Sequence, residues 1–219
     1  MNKNVILIFL TLILTTMSSN SQSIQNARYM KEDLDKFLST NTRYPIEAVR
    51  SQIQGDVVYS FTINKNGSLE NLALMNYPSE LLLNSSKISM SLLNGEWKPA
   101  LLNDTPIDKK YQIVFRFRTY MDTNPFDYKG QSRKLIEKKK YEKALMTLDS
   151  GVQDNMYDYE LYDLRSKVKE ALGDSEGAKK DESISSSLKD EIMAVIDVNE
   201  IIVRKTAPLG VTKTVVVSQ

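Results

Sequence analysis

The stretch 55–75, GDVVYSFTINKNGSLENLALM, decides how this chain folds. From Asp56 onward Val57, Tyr59, Phe61 and Ile63 point one way and Ser60, Thr62 and Asn64 the other, the period-two pattern of a strand with one buried face. Asn64-Lys65-Asn66-Gly67 supplies turn residues, with Gly67 suited to a positive φ, and 69–75 returns as the second strand of a hairpin. Upstream, Tyr44-Pro45 opens a short helix in which Ile46, Val49 and Ile53 repeat at helical spacing; Pro45 sits where its missing N–H costs nothing, and Gly55 is expected to end the helix. Downstream, between Pro78 and Asn94, the stripe Leu81, Ile88 and Leu92, with Leu82 and Leu93 beside it, predicts a second helix stopped by Asn94-Gly95. After a loop with Pro99 and Pro106, the run 110–120, KYQIVFRFRTY, alternates again: Tyr111, Ile113, Phe115 and Phe117 against Gln112, Arg116 and Arg118. The expected fold class is α+β: a small antiparallel three-stranded sheet with two helices on one face over residues 44–120, followed by an all-α segment.

In this region the sequence resembles the C-terminal domain of TonB, the periplasmic protein that transmits energy to outer-membrane transporters. The residues that carry the resemblance are Tyr44-Pro45, Ala48, Gly55, Val57-Val58, Phe61, Ile63, Gly67, Trp97-Lys98-Pro99-Ala100, Pro106 and Val114-Phe115-Arg116-Phe117, with Asn103-Asp104 where the family usually has Asn-Gly. The resemblance implies partner binding by strand addition: an extended segment of an outer-membrane transporter pairs with the exposed edge of the final strand, whose unpaired N–H and C=O groups it satisfies. The residues implied to meet that partner are Gln112, Val114, Arg116 and Arg118. For the two arginines, two readings stay open: charge complementarity to the partner, or protection of a bare edge from aggregation. Pairing of two copies through the same edge, a homodimer, is the other way to satisfy it. Trp97 is expected to anchor the core rather than to offer a ligand platform.

Beyond Tyr120 a charged helical pattern replaces the strands. Tyr128 aligns on Tyr162, Ser132 on Ser166, Ala144 on Ala178 and Gly151 on Ser185, a spacing of about 34 residues, the period of tetratricopeptide repeats. Lys140-Tyr141-Glu142-Lys143-Ala144-Leu145 and Gly173-Asp174-Ser175-Glu176-Gly177-Ala178 occupy equivalent places in the two units, although Lys169 and Glu182 sit where apolar residues are usual. The region 125–192 is thus expected to form tetratricopeptide-like repeats or a plain helical hairpin. Its basic cluster, Arg133, Lys134, Lys138, Lys139 and Lys140, is either a solvated helix face balanced by the acidic stretch 154–163 or a dock for an acidic partner. In the tail 193–219, Ile192 to Val203 suits a capping helix or a strand, and its β-branched residues favour the strand.

The first residues have the order of a secretory signal: Lys3, an apolar run from Val5 to Met17, then Ser18, Ser19, Asn20 and Ser21, with the cut expected after Ser21. At about 1.5 Å per residue the run falls short of a hydrocarbon layer roughly 30 Å thick, so a membrane anchor is the alternative only if the segment is uncleaved. The organisation expected is therefore a signal peptide (1–21), a linker with a short helix (22–43), the TonB-like domain (44–120), the helical repeats (125–192) and the tail, with a periplasmic location or, alternatively, an inner-membrane anchor facing the periplasm. The chain of 219 residues has no His and no Cys, which removes His-based triads, thiol nucleophiles, disulfides and the usual zinc and haem ligands; no cofactor or metal is expected. A carboxylate pair such as Glu47 and Glu70 shows no convergent spacing, so no enzyme is expected. A net charge of +1 provides no general field for nucleic acid. Two functions fit: an exported TonB-type module that docks an outer-membrane transporter or another envelope protein, serving TonB-dependent transport, or a periplasmic scaffold binding through its helical repeats without energy transduction. The second gains from the absence of proline between residues 22 and 43, where a long proline-rich spacer would be expected in a transducer.

Overall fold

The computed structural model describes residues 23–93, 97–204 and 215–216. The expected signal segment and the Asn94-Gly95 helix stop lie outside the described residues. In chain order the elements are β1 (Ile24–Gln25), β2 (Arg28–Tyr29), α1 (Leu34–Asn41), α2 (Ile46–Arg50), β3 (Gly55–Ile63), β4 (Leu69–Asn76), α3 (Glu80–Ser91), β5 (Trp97–Lys98), β6 (Ala100–Leu102), β7 (Thr105–Ile107), β8 (Lys109–Met121), α4 (Tyr128–Glu137), α5 (Tyr141–Asp154), α6 (Tyr159–Ala171), α7 (Ser175–Glu191), β9 (Ile192–Arg204) and β10 (Val215–Val216).

The alternation in 57–63 and 111–117 turns one face of each strand into the core, while Val58, Ser60, Val114 and Arg116 on the opposite face are buried as well and 70–75 is exposed. Strand β3 pairs antiparallel with β4 on one side and with β8 on the other, opposing Val57 to Phe115 and Tyr59 to Ile113. The face made by Val57, Tyr59, Phe61, Ile63, Tyr111, Ile113, Phe115 and Phe117 is sealed from solvent and packs with Leu38, Val49, Leu82 and Trp97 into one core. Trp97 lies 5.0 Å from the ring of Tyr29 and 6.2 Å from that of Phe61, the core-anchoring position expected of it. Gly67, at φ 78, closes the hairpin turn, and a Cβ there would stand 2.2 Å from the carbonyl oxygen of Trp97. Replacing Gly67 by Ala is therefore expected to cost about 2 kcal/mol, combining left-handed strain with a backbone clash. Thermal unfolding checks this; an unchanged midpoint would contradict it.

At Asn103-Asp104, between β6 and β7, both residues have positive φ, 48° and 63°, the two-residue turn that Asn-Gly makes with less strain. Asp104→Gly is expected to stabilise the fold by about 0.5–1 kcal/mol, read as a raised denaturant midpoint.

Several local expectations are corrected. Helix α2 ends at Arg50, with Gln52 rather than Gly55 supplying the left-handed residue, and Gly55 opens β3 against Pro78. Ile88 and Leu92 face solvent; the buried line of α3 runs through Leu82, Ser86, Ser89 and Met90, because this helix meets the sheet through hydroxyls as well as carbon. Tyr59 Oη lies 3.0 Å from Ser86 Oγ, and Thr42 Oγ1 lies 2.7 Å from Ser89 Oγ, so these four buried hydroxyls have partners. The segment expected as a linker with a short helix holds that helix, α1, and is folded around it: β1 pairs with β6, β2 with β5, Tyr29 is buried, and the Ala27 amide donates to Tyr111 Oη over 2.8 Å.

The largest correction concerns the sheet. Among the described residues it has five strands in the order β10-β9-β8-β3-β4, and β9 runs parallel to β8 from Gln112 to Met121. Parallel neighbours need a long crossover, and here residues 122–191, with all four tail-side helices, supply it. Ala194, Ile196, Val198 and Ile202 of β9 complete the core face. The helices α4 to α7 form two hairpins around Ala144, Leu148, Leu161, Leu164 and Val168. The region is helical as expected; of the residues aligned by the repeat, Ala144 and Ala178 are both buried and so are Gly151 and Ser185, whereas Ser132 is buried and Ser166 only half-buried. Gly151 is required by close approach: a Cβ there would lie 3.0 Å from Tyr128 Cβ and 3.1 Å from Leu161 Cδ2.

Candidate protein-binding edge

The edge of β8 that was expected to be open is filled by β9, and the four residues expected to meet a partner stand on an inner strand. Gln112 lies between Ser60 and Ile192, Val114 between Val58 and Val195, and Arg116 between Asp56 and Asp197; Arg118 faces Asn199. Val114 is fully buried, and Gln112 Nε2 donates to Glu191 Oε2 over 3.5 Å.

Arg116, 4% exposed, donates from Nη1 to Asp197 Oδ1 at 2.5 Å and from Nη2 to the Asp154 carbonyl at 2.7 Å and carboxylate at 3.0 Å. Arg118 pairs with Asp56 Oδ1 at 2.8 Å and reaches the same Asp154 carbonyl at 3.4 Å. Asp154 is the last residue of α5, where unsatisfied carbonyls give the helix its negative end, so cations there are favoured. Arg116 thus ties the end of α5 to β8 and β9, and Arg118 ties it to β8 and β3, on the face of the sheet opposite the core. This is neither of the roles that sequence reasoning left open. Asp154 and Asp197 were missed because nothing local couples them to β8; their charges, opposite in sign to Arg116, were the only signal available.

Burial pushes the Asp197 carboxyl upward, against the pull of Arg116, and burial likewise raises Tyr120. Burial also raises Tyr44, to about 12; its hydroxyl donates to the Ile53 carbonyl at 2.7 Å and its ring meets Phe117 edge-on. Of the two glutamates considered as a pair, Glu47 belongs to α2, and Glu70 on β4 accepts from Asn64 Nδ2.

An antiparallel hairpin, a third strand, the Trp-Lys-Pro-Ala loop and two flanking helices now stand together in one folded segment. Residues 40–119 match the family model described as the Gram-negative bacterial TonB protein C-terminal. The TonB-like segment therefore comprises the end of α1 through β8, and it supports an envelope-associated protein-interaction module. The remainder of the chain, including β9, lies beyond the match. Neither the curated proteins nor the solved structures contain a match to this chain. Among the described residues no helix is long and apolar enough to cross a membrane.

With β8 covered, the TonB-like sheet leaves other backbone exposed. On one side β4 is solvent-exposed along most of its length, including Leu72, Leu74 and Met75, and the positive φ of Asn71 marks a bulge that interrupts it. On the other side, among the described residues, β10 pairs β9 at Val203 and Arg204. From Met193 to Glu200 its outward backbone groups have no hydrogen-bond partner among the described residues.

Proposed function

We propose that this chain is an envelope protein-binding module of TonB type that takes up an extended segment of an outer-membrane transporter, or of another envelope protein, as an added strand of its sheet. The observation that supports this reading is the way the sheet already grows: β8 holds β9 by backbone pairing from Gln112 to Met121, reinforced by one charged contact between Arg116 and Asp197. An extended segment is thus a fitting neighbour for this sheet, and β9 presents the next free edge. On this reading Gln112, Val114, Arg116 and Arg118 act from behind the incoming segment, holding β9 in register.

The test is a photo-crosslinking residue at Asn199, an exposed position on β9, in the native cell envelope. Capture of an outer-membrane transporter is the expected result. Capture of nothing but copies of this chain, with the protein folded and exported, would reject the reading.

A further inference from the structure

Two cavities, of ≈ 350 and ≈ 550 Å³, share Asp35 and Met193 and so continue one into the other along the start of β9. The first is lined by Ile192, Met193, Ala194, Val195 and Asp197 of β9 and by the α5–α6 connection around Asp158; the second continues beneath Tyr29 and the start of α1. Residues from both faces of β9 line the first cavity, so it runs beside the strand's edge rather than over one face. The floor of this trough is the unpaired backbone edge described above.

The walls are acidic. Glu32, Asp33, Asp35, Asp158, Glu160 and Asp197 line the two cavities, against Arg28 and Lys129. Lys129 is committed to Asp158 at 2.9 Å and Glu160 at 3.6 Å, and Asp197 to Arg116. Glu32, Asp33 and Asp35 make no ion pair among the described residues. Burial first, and then the neighbouring Asp33, raise the Asp35 carboxyl, the condition of a carboxylate that lacks a counter-ion. The chain as a whole carries a net charge of +1, so this negative trough is a local feature.

A bare strand edge demands an extended backbone, and acidic walls demand cationic side chains. We propose that the trough along the outer edge of β9 receives an extended, lysine- or arginine-bearing peptide segment as a further strand of the sheet. This rests on the reading of the sheet as a strand acceptor and adds the chemistry of the accepted segment. The unpaired edge from Met193 to Glu200 measures about 26 Å at roughly 3.3 Å per residue, room for a segment of about eight residues. Backbone pairing supplies attachment, and charge supplies selection and rate of encounter.

The experiment uses the full chain and labelled synthetic peptides of about eight residues, read by fluorescence anisotropy. A peptide alternating valine and lysine is compared with one alternating valine and glutamate, and with two versions of the first N-methylated at alternate amides, one for each register. The valine–lysine peptide is expected to bind, and the glutamate peptide to bind at least about a hundredfold more weakly. One N-methylated version should lose binding and the other keep it. The double variant Glu32→Gln, Asp35→Asn should bind the lysine peptide about tenfold more weakly with a melting temperature no lower than that of the unaltered chain, since neither side chain makes a hydrogen bond or ion pair among the described residues and the raised Asp35 carboxyl gains nothing from its charge. Equal binding of the glutamate peptide, full affinity in the double variant, or full affinity of both N-methylated peptides would each overturn the proposal. The Asn199 crosslink separates this failure from that of the broader reading: a captured transporter segment with no excess of basic residues sinks the charge rule alone, whereas no capture of another protein sinks strand acceptance itself. Crosslinking of Asn199 only to residues 205–219 of the same chain, or to a second copy, would also overturn the proposal, because the edge would then belong to this protein itself.

Discussion

Ile196→Asp is expected to unfold the whole sheet, lowering stability by more than about 5 kcal/mol, rather than merely to release a terminal strand. Ile196 is 2% exposed and pairs across the ladder with Phe115, which in turn pairs with Val57. Truncating such a side chain costs about 2–5 kcal/mol through lost burial and the cavity left behind. Placing a carboxylate there adds the cost of burying a polar group with no partner, since the neighbours in this layer are carbon. The domain cannot avoid this by shedding β9, because Ala194, Val198 and Ile202 would leave the core with it and α1 packs on the same strand. Near-ultraviolet circular dichroism and thermal unfolding provide the measurement. Loss of aromatic signal from both Trp97 and the core tyrosines is the expected result. If the variant keeps its midpoint within a few degrees while hydrogen exchange rises only along β8 and β9, then β9 is a detachable flap, and the candidate binding edge returns to β8.

Asp181→Asn is expected to destabilise the helical unit by about 3 kcal/mol and to remove the part of its acid sensitivity that Asp181 carries. Asp181 on α7 is 1% exposed and accepts two hydrogen bonds from Arg165, at 2.7 and 2.8 Å, and an ion pair from Lys169 at 2.8 Å, both on α6. Removing one member of a buried ion pair typically costs 3–5 kcal/mol, since the others are left uncompensated. The lower end applies because Arg165 keeps Asp149 at 2.9 Å. Burial pushes the Asp181 carboxyl up, and the hydrogen bonds and charges of Arg165 and Lys169 outweigh it, leaving its pKa below the ordinary value. A depressed pKa contributes stability that is fully present above the unfolded value of about 4 and is lost as the pH falls through the folded value. The wild-type helical unit should therefore weaken below about pH 4, and the Asn variant, already weakened, should lose that part of its pH dependence. Asp197 and Asp35, both raised, act in the opposite direction: their contributions are present below the ordinary value and fade as the pH rises through their raised values. Helix-resolved hydrogen exchange between pH 3 and 7 distinguishes the two. An unchanged acid response in Asp181→Asn would show that other carboxylates control it.

Much of the first half of the fold was legible because its causes are local. The period-two alternation in 57–63 and 111–117 is set by the pleat, and the turn at Gly67 by a positive φ that a Cβ would obstruct. The helix over residues 80–91 was legible in its extent and misread in its face: Ile88 and Leu92 look like core residues by composition, yet the helix turns Ser86 and Ser89 inward, where Tyr59 and Thr42 satisfy them. Periodicity sees carbon and cannot see a buried hydroxyl that has a partner. The four helices after β8 were legible as helical.

What the sequence alone determined is therefore each strand's and helix's identity where neighbours along the chain decide it: the hairpin, the final alternating strand, the helical character of 125–191 and the β-branched character of 192–203. What only the tertiary structure decided is who sits beside whom. Whether β8 ends the sheet or lies inside it depends on a strand more than seventy residues further on, beyond the intervening crossover. Parallel pairing leaves no turn signal in the sequence, since its connection is long and its hydrogen bonds are made by backbone common to every residue. For the same reason Arg116 reads as a free charge on an edge until folding brings Asp154 and Asp197 to it, and the candidate binding edge moves from a strand the alternation could identify to one whose exposure depends on packing.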